Sequence, residues 1–409
     1  MRILVFSPID IRLSLGTAHN GGGWIHSFLK EMQQITSIEL AVAFIGNRND
    51  EKYDFDIPLF PITQQHGLIS RVYRFFSNSY VEKTIISSCV YIIKCFKPDL
   101  IHIFGSENIF GKIIFHTSIP CVIHMQGFLP SYENAKYPPG FSKHDILPIF
   151  WLHPFQWIVK NHLANLFSYH AQREKEIVCH CKRFLGRTEW DRAIVDIYAP
   201  KAQYWYCSEF LREPFYNAMK AWKRTEHSVI KIVSVLSTPV YKGHDLILKT
   251  ARLLIENTDL KFEWHVFGVY EMKVFANKLG ISPSSNRVII RGTVAAENLV
   301  QELLSSDIYV HPSYIENSPN SLCEAQMVGI PCIAVNAGGV SSLIKDKVSG
   351  FLVPANDPVM MASKILCLVN DKELALSFSE NGSQIAKIRH DKKQIVFNIL
   401  ECYKAMLTH

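Results

Sequence analysis

The sequence predicts an α/β protein of two domains, each built on a parallel sheet with helices on both faces. The chain has 409 residues, more than one ordinary hydrophobic core accommodates. Strand-like segments alternate with amphipathic helical segments, which is the pattern of βαβ units. With 48% hydrophobic and 20% charged residues, the composition is that of a folded globular chain.

Five strand-like segments occur in the first half. They are "RILVFSP" (2–8), "LAVAFIG" (40–46), "LIHIFG" (100–105), "CVIHMQG" (121–127) and "YWYCS" (204–208). The first lacks the small-residue cleavage site of a secretory signal, so we interpret it as a buried strand. Before the last, Thr188 and Asp191 have capping-box spacing, which predicts a helix start.

The second half alternates more regularly. Its predicted strands are 229–236, 262–268, 287–292, 307–312 and 331–337, and the helical segments between them are 245–257, 271–280 and 296–306. A connection lies near 212–228, and the tail has the spacing of an amphipathic helix. We therefore expect an N-terminal α/β domain over 1–215 and a C-terminal α/β domain over 216–385. The helix of 386–409 is expected to pack back toward the first domain.

The segment "IENSPNSLCEAQMVGIPCIAVNAGG" (315–339) contains two glutamates, Glu316 and Glu324, with seven residues between them. Ser318 and Pro319 predict a helix start, with the serine as N-cap and the proline at the first helical position. Gly329 predicts the end of that helix. The helix would begin just beyond a strand, at the carboxyl edge of a parallel sheet, where open α/β sheets bind ligands.

The first N–H groups of this helix, those of Asn320, Ser321 and Leu322, are expected to face an anion such as a phosphate. Two carboxylates beside a phosphate site do not bind the phosphate. They are suited to accept hydrogen bonds from hydroxyl groups on either side of it. A sugar, a diphosphate and a ribose, joined in that order in a nucleotide sugar, supply this pattern.

This segment resembles the E-x7-E motif of glycosyltransferase family 4, whose members are retaining enzymes of the GT-B fold. Other matching segments are "YKGHDLIL" (241–248), "AGGVSSLIKDKVSGFLVPANDP" (337–358), "NGGGW" (20–24) and "CVIHMQG" (121–127). "LGRTEWDRA" (185–193) is similar to members that build bacterial surface polysaccharides. The resemblance implies two Rossmann-like domains that face each other across a cleft, with the acceptor bound by the domain of 1–215 and the nucleotide sugar by the domain of 216–385.

By the same resemblance Glu316 contacts the transferred sugar, Glu324 the ribose and Lys242 the diphosphate, while His124 is the active-site histidine. The further donor-binding residues expected are Asn320, Ser321, Leu322, Ser237, Gly243, Gly268 and Arg291, and the expected acceptor or phosphate loop is Gly21, Gly22 and Gly23. Two positions depart from the family pattern. Ser237 stands where many members carry an arginine, and Pro319 stands where glycine is frequent and removes one backbone donor.

Several features have a second interpretation. Gly21, Gly22 and Gly23 also suit a flexible loop, and His124 also suits a satisfied core histidine. Asp54 and Asp56 have the D-x-D spacing of metal-dependent enzymes of another fold, but their charged surroundings favour a solvated loop. No metal or cofactor is expected, because a helix N-terminus and Lys242 neutralise the phosphates. The "CHC" of 179–181 is too tight for a zinc knuckle, and the ten cysteines suit reduced thiols in a cytoplasmic protein.

The net charge of +6 is too small to indicate nucleic acid and favours anionic partners mildly. The expected partners are a nucleotide-diphosphate sugar and a glycan or polyprenyl-linked acceptor. The aromatic segment of 146–167 fits either a membrane interface or packing against the first sheet, and the resemblance favours peripheral contact with the inner membrane surface.

The function expected is retaining transfer of a sugar from a nucleotide-diphosphate sugar to such an acceptor, in surface polysaccharide biosynthesis. Two other functions are alternatives to sugar transfer. A sugar-nucleotide epimerase of similar shape would release free sugar without an acceptor. A dinucleotide oxidoreductase is disfavoured, because no strand is followed by G-x-G-x-x-G with an acidic residue about twenty positions on.

Overall fold

A computed structural model describes residues 1–11, 23–46, 56–63, 78–147, 153–225 and 227–408. The strands within these residues form two separate parallel sheets, each flanked by helices. The predicted fold class, two α/β domains, is confirmed.

In the described residues, the first sheet has seven strands in the order β3-β2-β1-β4-β5-β6-β7. They are β1 (Arg2–Ser7), β2 (Glu39–Ile45), β3 (Leu59–Ile62), β4 (Leu100–Phe104), β5 (Cys121–His124), β6 (Arg183–Gly186) and β7 (Gln203–Tyr206). The five predicted strands are confirmed. β3 and β6 are short, with four residues each, and were not predicted because neither shows a clear alternation of its own.

The described helices of this half are α1 (Gly23–Met32), α2 (Asn78–Phe96), α3 (Leu129–Asn134), α4 (Lys143–Ile146), α5 (Pro154–His180), α6 (Glu189–Tyr198) and α7 (Glu213–Asn217). The capping box predicted at Thr188 and Asp191 is confirmed, since it begins α6. It matters for the site, because α6 follows β6 directly and fixes the chain at the carboxyl end of that strand.

The second sheet has six strands among the described residues, in the order β10-β9-β8-β11-β12-β13. They are β8 (Ile230–Val235), β9 (Phe262–Phe267), β10 (Val288–Gly292), β11 (Ile308–His311), β12 (Cys332–Val335) and β13 (Phe351–Val353). Its helices are α8 (His244–Asn257), α9 (Lys273–Leu279), α10 (Ala296–Leu304), α11 (Asn320–Val328), α12 (Pro358–Asn370) and α13 (Lys372–Arg389). A parallel sheet buried on both faces explains the near-continuous apolar strands of this half.

The last described helix, α14 (Lys392–Leu407), returns to the first sheet. Ile395, Ile399 and Tyr403 are buried in one core with Ile3 and Val5 of β1. The hydroxyl of Tyr403 lies 2.7 Å from Nδ1 of His102, which is buried in β4. Apolar burial along one stripe of α14 thus ties the end of the described chain to its beginning.

The carboxyl ends of strands from the two sheets face each other. Asn317, which follows β11, donates from Nδ2 to Asp191 at 3.0 Å, and its Oδ1 accepts from Thr188 at 2.5 Å. Ser318 donates to Glu209, which follows β7, at 2.7 Å. The loops that the topology rule assigns to ligand binding therefore meet at one cleft.

Of the helices that the structure describes, none has the length and apolar character to cross a membrane.

Candidate active site

The helix predicted after Ser318 exists, but its start differs from the prediction. α11 begins at Asn320, Pro319 occupies the cap position, and no side chain caps the helix. Ser318 instead donates to the buried carboxylate of Glu209. A charge-assisted hydrogen bond of this kind is stronger than a neutral cap, so the N-cap prediction for Ser318 is wrong for a tertiary reason.

The first turn of α11 offers fewer free donors than predicted. The N–H of Leu322 donates to the carbonyl of Pro319 at 3.0 Å, so the prediction of a free N–H at Leu322 is wrong. This tightening of a first turn is a usual way to satisfy terminal groups. The N–H groups of Asn320 and Ser321 have no backbone acceptor among the described residues. Of the three N–H groups predicted to face an anion, those of Asn320 and Ser321 therefore keep that possibility, together with the helix dipole.

Lys242 and Glu316 are in direct contact beside this helix start. Their side chains form an ion pair, and both are largely buried, with 18% and 9% of their side-chain surface exposed. Lys242 ends a short 3₁₀ turn, and Gly243 follows it with φ of 79° as the N-cap of α8. A Cβ on Gly243 would lie 2.1 Å from the carbonyl oxygen of Pro312, so only glycine allows this close approach.

His311 completes the group and was not singled out from the sequence. It is the last residue of β11, is 2% exposed, and its Nε2 lies 3.9 Å from Oε1 of Glu316. Burial lowers the pKa of His311 to about 4, against the opposing effect of Glu316, so the ring is neutral at pH 7. Its position at the carboxyl end of a parallel strand is the sequence signal that could have identified it.

Two tyrosines from different halves of the chain line the same place. The rings of Tyr132, in α3, and Tyr241 have centroids 5.2 Å apart. Burial first, and then the negative charge of Glu316, raise the pKa of Tyr132 well above its usual value. Sequence reasoning missed Tyr132, because nothing local marks a tyrosine that meets a glutamate so far along the chain.

The double glycine that follows β12 holds the Glu316 segment in place. A Cβ on Gly338 would lie 2.0 Å from the carbonyl oxygen of Glu316, and one on Gly339 would lie 2.3 Å from that of Asn317. The N–H of Gly339 also donates to the carbonyl of Glu316 at 2.8 Å. Backbone packing this close orients Glu316 without using its carboxylate.

His124 ends β5 and is buried, with centroid distances of 5.8 Å to Trp24 and 5.4 Å to His102. Burial and the positive charge of Arg187 lower the pKa of His124 to about 3, so its ring is also neutral at pH 7. Two residues further on, the carbonyl of Gln126 accepts from Nδ2 of Asn317 at 3.4 Å. The end of β5 thus lies against the residue next to Glu316, although His124 itself has no contact with Glu316.

Glu324 is paired with a residue that sequence reasoning did not identify. Nε and Nη2 of Arg212 each lie 2.7 Å from one carboxylate oxygen of Glu324. The carboxylate is almost fully buried. Burial by itself lowers the pKa of Arg212, and the charge of Glu324 outweighs that effect and raises it. The carboxylate predicted to bind ribose is thus held by a bidentate guanidinium.

The other predicted residues are placed by the elements that carry them. Ser237 lies two residues after β8, and Gly268 directly follows β9 with φ of 86°. Arg291 faces elsewhere, since its Nη2 lies 3.6 Å from Glu302. Gly23 is the first residue of α1, and a Cβ there would lie 2.8 Å from Cδ of Arg212. Gly21, Gly22 and Asp54 lie outside the described residues.

One buried cluster combines groups that metals use. Ligand atoms of Glu209, Cys323 and His390 lie within 4.8 Å of one another. The carboxylate already accepts from Ser318 and lies 3.4 Å from Arg187, and burial raises the pKa of the thiol above its usual value. These partners suit a buried Arg187–Glu209 ion pair, to which Ser318 of the second half donates, better than a cation site.

A family model described as "Glycosyl transferases group 1" matches residues 219–385. A galactosyltransferase of Escherichia coli, named for UDP-Gal and a GlcNAc-diphosphoundecaprenol, is 38% identical over 96 residues, which are 22% of this chain and 24% of that enzyme. The amylovoran biosynthesis glycosyltransferase AmsK of Erwinia amylovora is 26% identical over 149 residues, 35% of this chain and 36% of that protein. The chain thus spans well under half the length of either relative.

Solved structures match over the whole chain. Sucrose-phosphate synthase from Thermosynechococcus elongatus has a TM-score of 0.75 at 13% identity and covers 100% of this chain, with 99% of its own chain matched. Anabaena HepE in complex with UDP-glucose has a TM-score of 0.67 at 15% identity, and the match covers 99% of this chain and 100% of the HepE chain. At these identities the likeness shows the fold alone. The chain therefore has the GT-B fold, and its residues 219–385 match the family model of glycosyl transferases group 1.

Proposed function

We propose that the protein is a retaining glycosyltransferase of family 4, which transfers a sugar from a nucleotide-diphosphate sugar to a glycan or lipid-linked acceptor. The observation that carries the proposal is the direct contact of Lys242 and Glu316 beside the start of α11. A cation, two N–H groups and a helix dipole suit the diphosphate, and a carboxylate next to them suits sugar hydroxyls.

The acceptor class follows from the same resemblance and from the relatives. One relative is named for a diphosphoundecaprenol substrate and another for the biosynthesis of amylovoran. We therefore propose a role in surface polysaccharide biosynthesis on the cytoplasmic side of the membrane. His124 is proposed to orient the sugar, and Gly21, Gly22 and Gly23 to approach the acceptor or the phosphates.

A donor panel tests this function. The protein is incubated with UDP-, GDP- and ADP-sugars, with and without short glycans and polyprenyl-diphosphate sugars, and both products are quantified. We expect nucleoside diphosphate release that rises with one acceptor class, together with a product heavier by one sugar. Release of free sugar at the same rate without any acceptor would indicate the epimerase reaction instead.

We further propose that transfer needs no divalent metal, because Lys242 and the start of α11 already provide positive potential at the diphosphate. Turnover should be unchanged when the protein is stripped with EDTA and assayed in EDTA. The check is a comparison of rates with and without added manganese or magnesium. Loss of transfer in EDTA with recovery on adding manganese would contradict it and would favour the role of Asp54 and Asp56.

Peripheral contact with an anionic membrane surface is proposed for the first half of α5. Phe155, Ile158 and Leu163 are exposed there, by 77%, 45% and 56%, and Lys160 lies among them. Exposed apolar side chains beside a basic one on a helix suit the interface of a bilayer with anionic lipids.

The triple variant Phe155→Ser/Ile158→Ser/Leu163→Ser should lose binding to vesicles that contain anionic lipid. The loss of apolar insertion should exceed about tenfold in partition coefficient. Co-sedimentation with phosphatidylglycerol vesicles measures it. Phe397→Ser, which removes an exposed aromatic ring of α14, is the control and should bind as the unaltered protein does. Equal binding of the triple variant would place the contact elsewhere.

A further inference from the structure

Arg212 lies in the connection between the two halves, just before α7. It lies against helices of both. A Cβ added to Gly23 at the start of α1 would lie 2.8 Å from Cδ and 2.9 Å from Cγ of Arg212. Its guanidinium binds Glu324 of α11 through two hydrogen bonds of 2.7 Å. The side chain thus lies between the start of α1 and α11.

The carboxylate that Arg212 binds is close in sequence to the helix start. Glu324 is one turn after Asn320, which is about 5.4 Å along the helix axis. Helical side chains tilt toward the N-terminus, so the Glu324 side chain leans toward the start of α11. An arginine side chain reaches over such a distance by changes of rotamer alone.

A second cation would add to the positive potential that Lys242 and the start of α11 provide. A diphosphate carries more than one negative charge, whereas Lys242 is a single cation paired with Glu316. Ser237, two residues after β8, is uncharged. Arg187 is 3% exposed and lies against Glu209, so it is held away from a ligand. Arg212, with 26% of its side chain exposed, is the accessible arginine among these.

We propose that Arg212 is a donor-binding residue that changes partner when the donor binds. Without a donor, its guanidinium is hydrogen-bonded to the carboxylate of Glu324. When the donor binds, the ribose hydroxyls donate to that carboxylate instead, and the guanidinium pairs with the diphosphate. The proposal rests on the function proposed above. The planar guanidinium forms bidentate hydrogen bonds with a phosphate as well as with a carboxylate. The exchange therefore replaces one charge-assisted pair by another.

Binding measurements separate this role from a structural one. Calorimetry of the unaltered protein with UDP, GDP and ADP first identifies the base, and the matching nucleoside is titrated by NMR. Arg212→Gln should weaken binding of the nucleoside diphosphate by about 10- to 100-fold, because a charge-assisted contact is lost. Binding of the nucleoside should not weaken, since Glu324 is then free for the ribose.

Two further variants complete the test. Arg212→Lys keeps the positive charge but lacks the planar guanidinium, so it should recover part of the diphosphate affinity. If Arg212→Gln does not fold, the affinity of Arg212→Lys tests whether Arg212 contacts the diphosphate. Arg252→Gln, which removes an exposed arginine paired with Glu256 at 2.7 Å on α8, is the control and should bind as the unaltered protein does. Thermal melts accompany each titration.

The outcomes are distinct. Unchanged diphosphate affinity in Arg212→Gln, or equal weakening for nucleoside and diphosphate, would overturn the exchange of partners while leaving the proposed function intact. An unaltered protein that binds none of the three nucleoside diphosphates would overturn both.

Discussion

Lys242→Ala should lower turnover by about 10²–10³-fold, since it removes a preorganised donor at the place where the leaving diphosphate gains charge. The loss should appear mainly in kcat, because a developing charge is stabilised more than the ground state. The measurement is the initial rate of nucleoside diphosphate release with saturating donor and acceptor. Folding is checked by a thermal melt, since Glu316 is left without its ion-pair partner.

A matched control is available in the same domain. Lys231 forms an ion pair with Glu302 at 2.6 Å, with 22% of its side chain exposed, near the amino end of β8 and therefore at the opposite edge of the sheet. Lys231→Ala removes a comparable lysine and should leave turnover unchanged. A Lys242→Ala protein with normal turnover would mean that another cation neutralises the leaving group.

Glu316→Gln should lose most of the activity, by at least about 10²-fold, while the nucleoside diphosphate still binds. Glutamine keeps the shape and one hydrogen-bond acceptor but removes the charge that Lys242 and His311 face. We expect an oxocarbenium-like sugar whose hydroxyls Glu316 orients, with attack on the same face that the diphosphate leaves. The bond from the anomeric carbon to the diphosphate breaks, and a diphosphate oxygen takes the proton of the acceptor hydroxyl.

Three measurements decide this mechanism. Calorimetry with the nucleoside diphosphate should give similar affinities for Glu316→Gln and the unaltered protein, and Glu302→Gln serves as the control for turnover. NMR coupling of the new glycosidic linkage should match that of the donor, and an inverted anomer would contradict the family assignment. A trapped adduct of sugar on Glu316 would contradict front-face transfer and would instead indicate the double displacement that retaining glycosidases use.

The fold and half of the site followed from local sequence, for a physical reason. The periodicity of strands and helices is a property of short segments. The apolar strands of the second half and the capping box at Thr188 could therefore be predicted from the sequence alone. Lys242, Glu316 and the start of α11 each lie next to a strand that could be identified. Parallel strands place their carboxyl ends at one edge, which brings those residues together without knowledge of side-chain contacts.

The remaining site residues depend on contacts between distant parts of the chain. Arg212 and Glu324 form their ion pair although they are 112 residues apart in the sequence. Glu209 accepts a hydrogen bond from the hydroxyl of Ser318, 109 residues away, and for this reason the N-cap predicted from local preference did not form. Tyr132 reaches the Glu316 site from the other domain in the same way. By itself the sequence determined the elements and the edge where chemistry would lie. The tertiary structure decided which buried charges pair there, because burial makes such pairs stronger than any local preference.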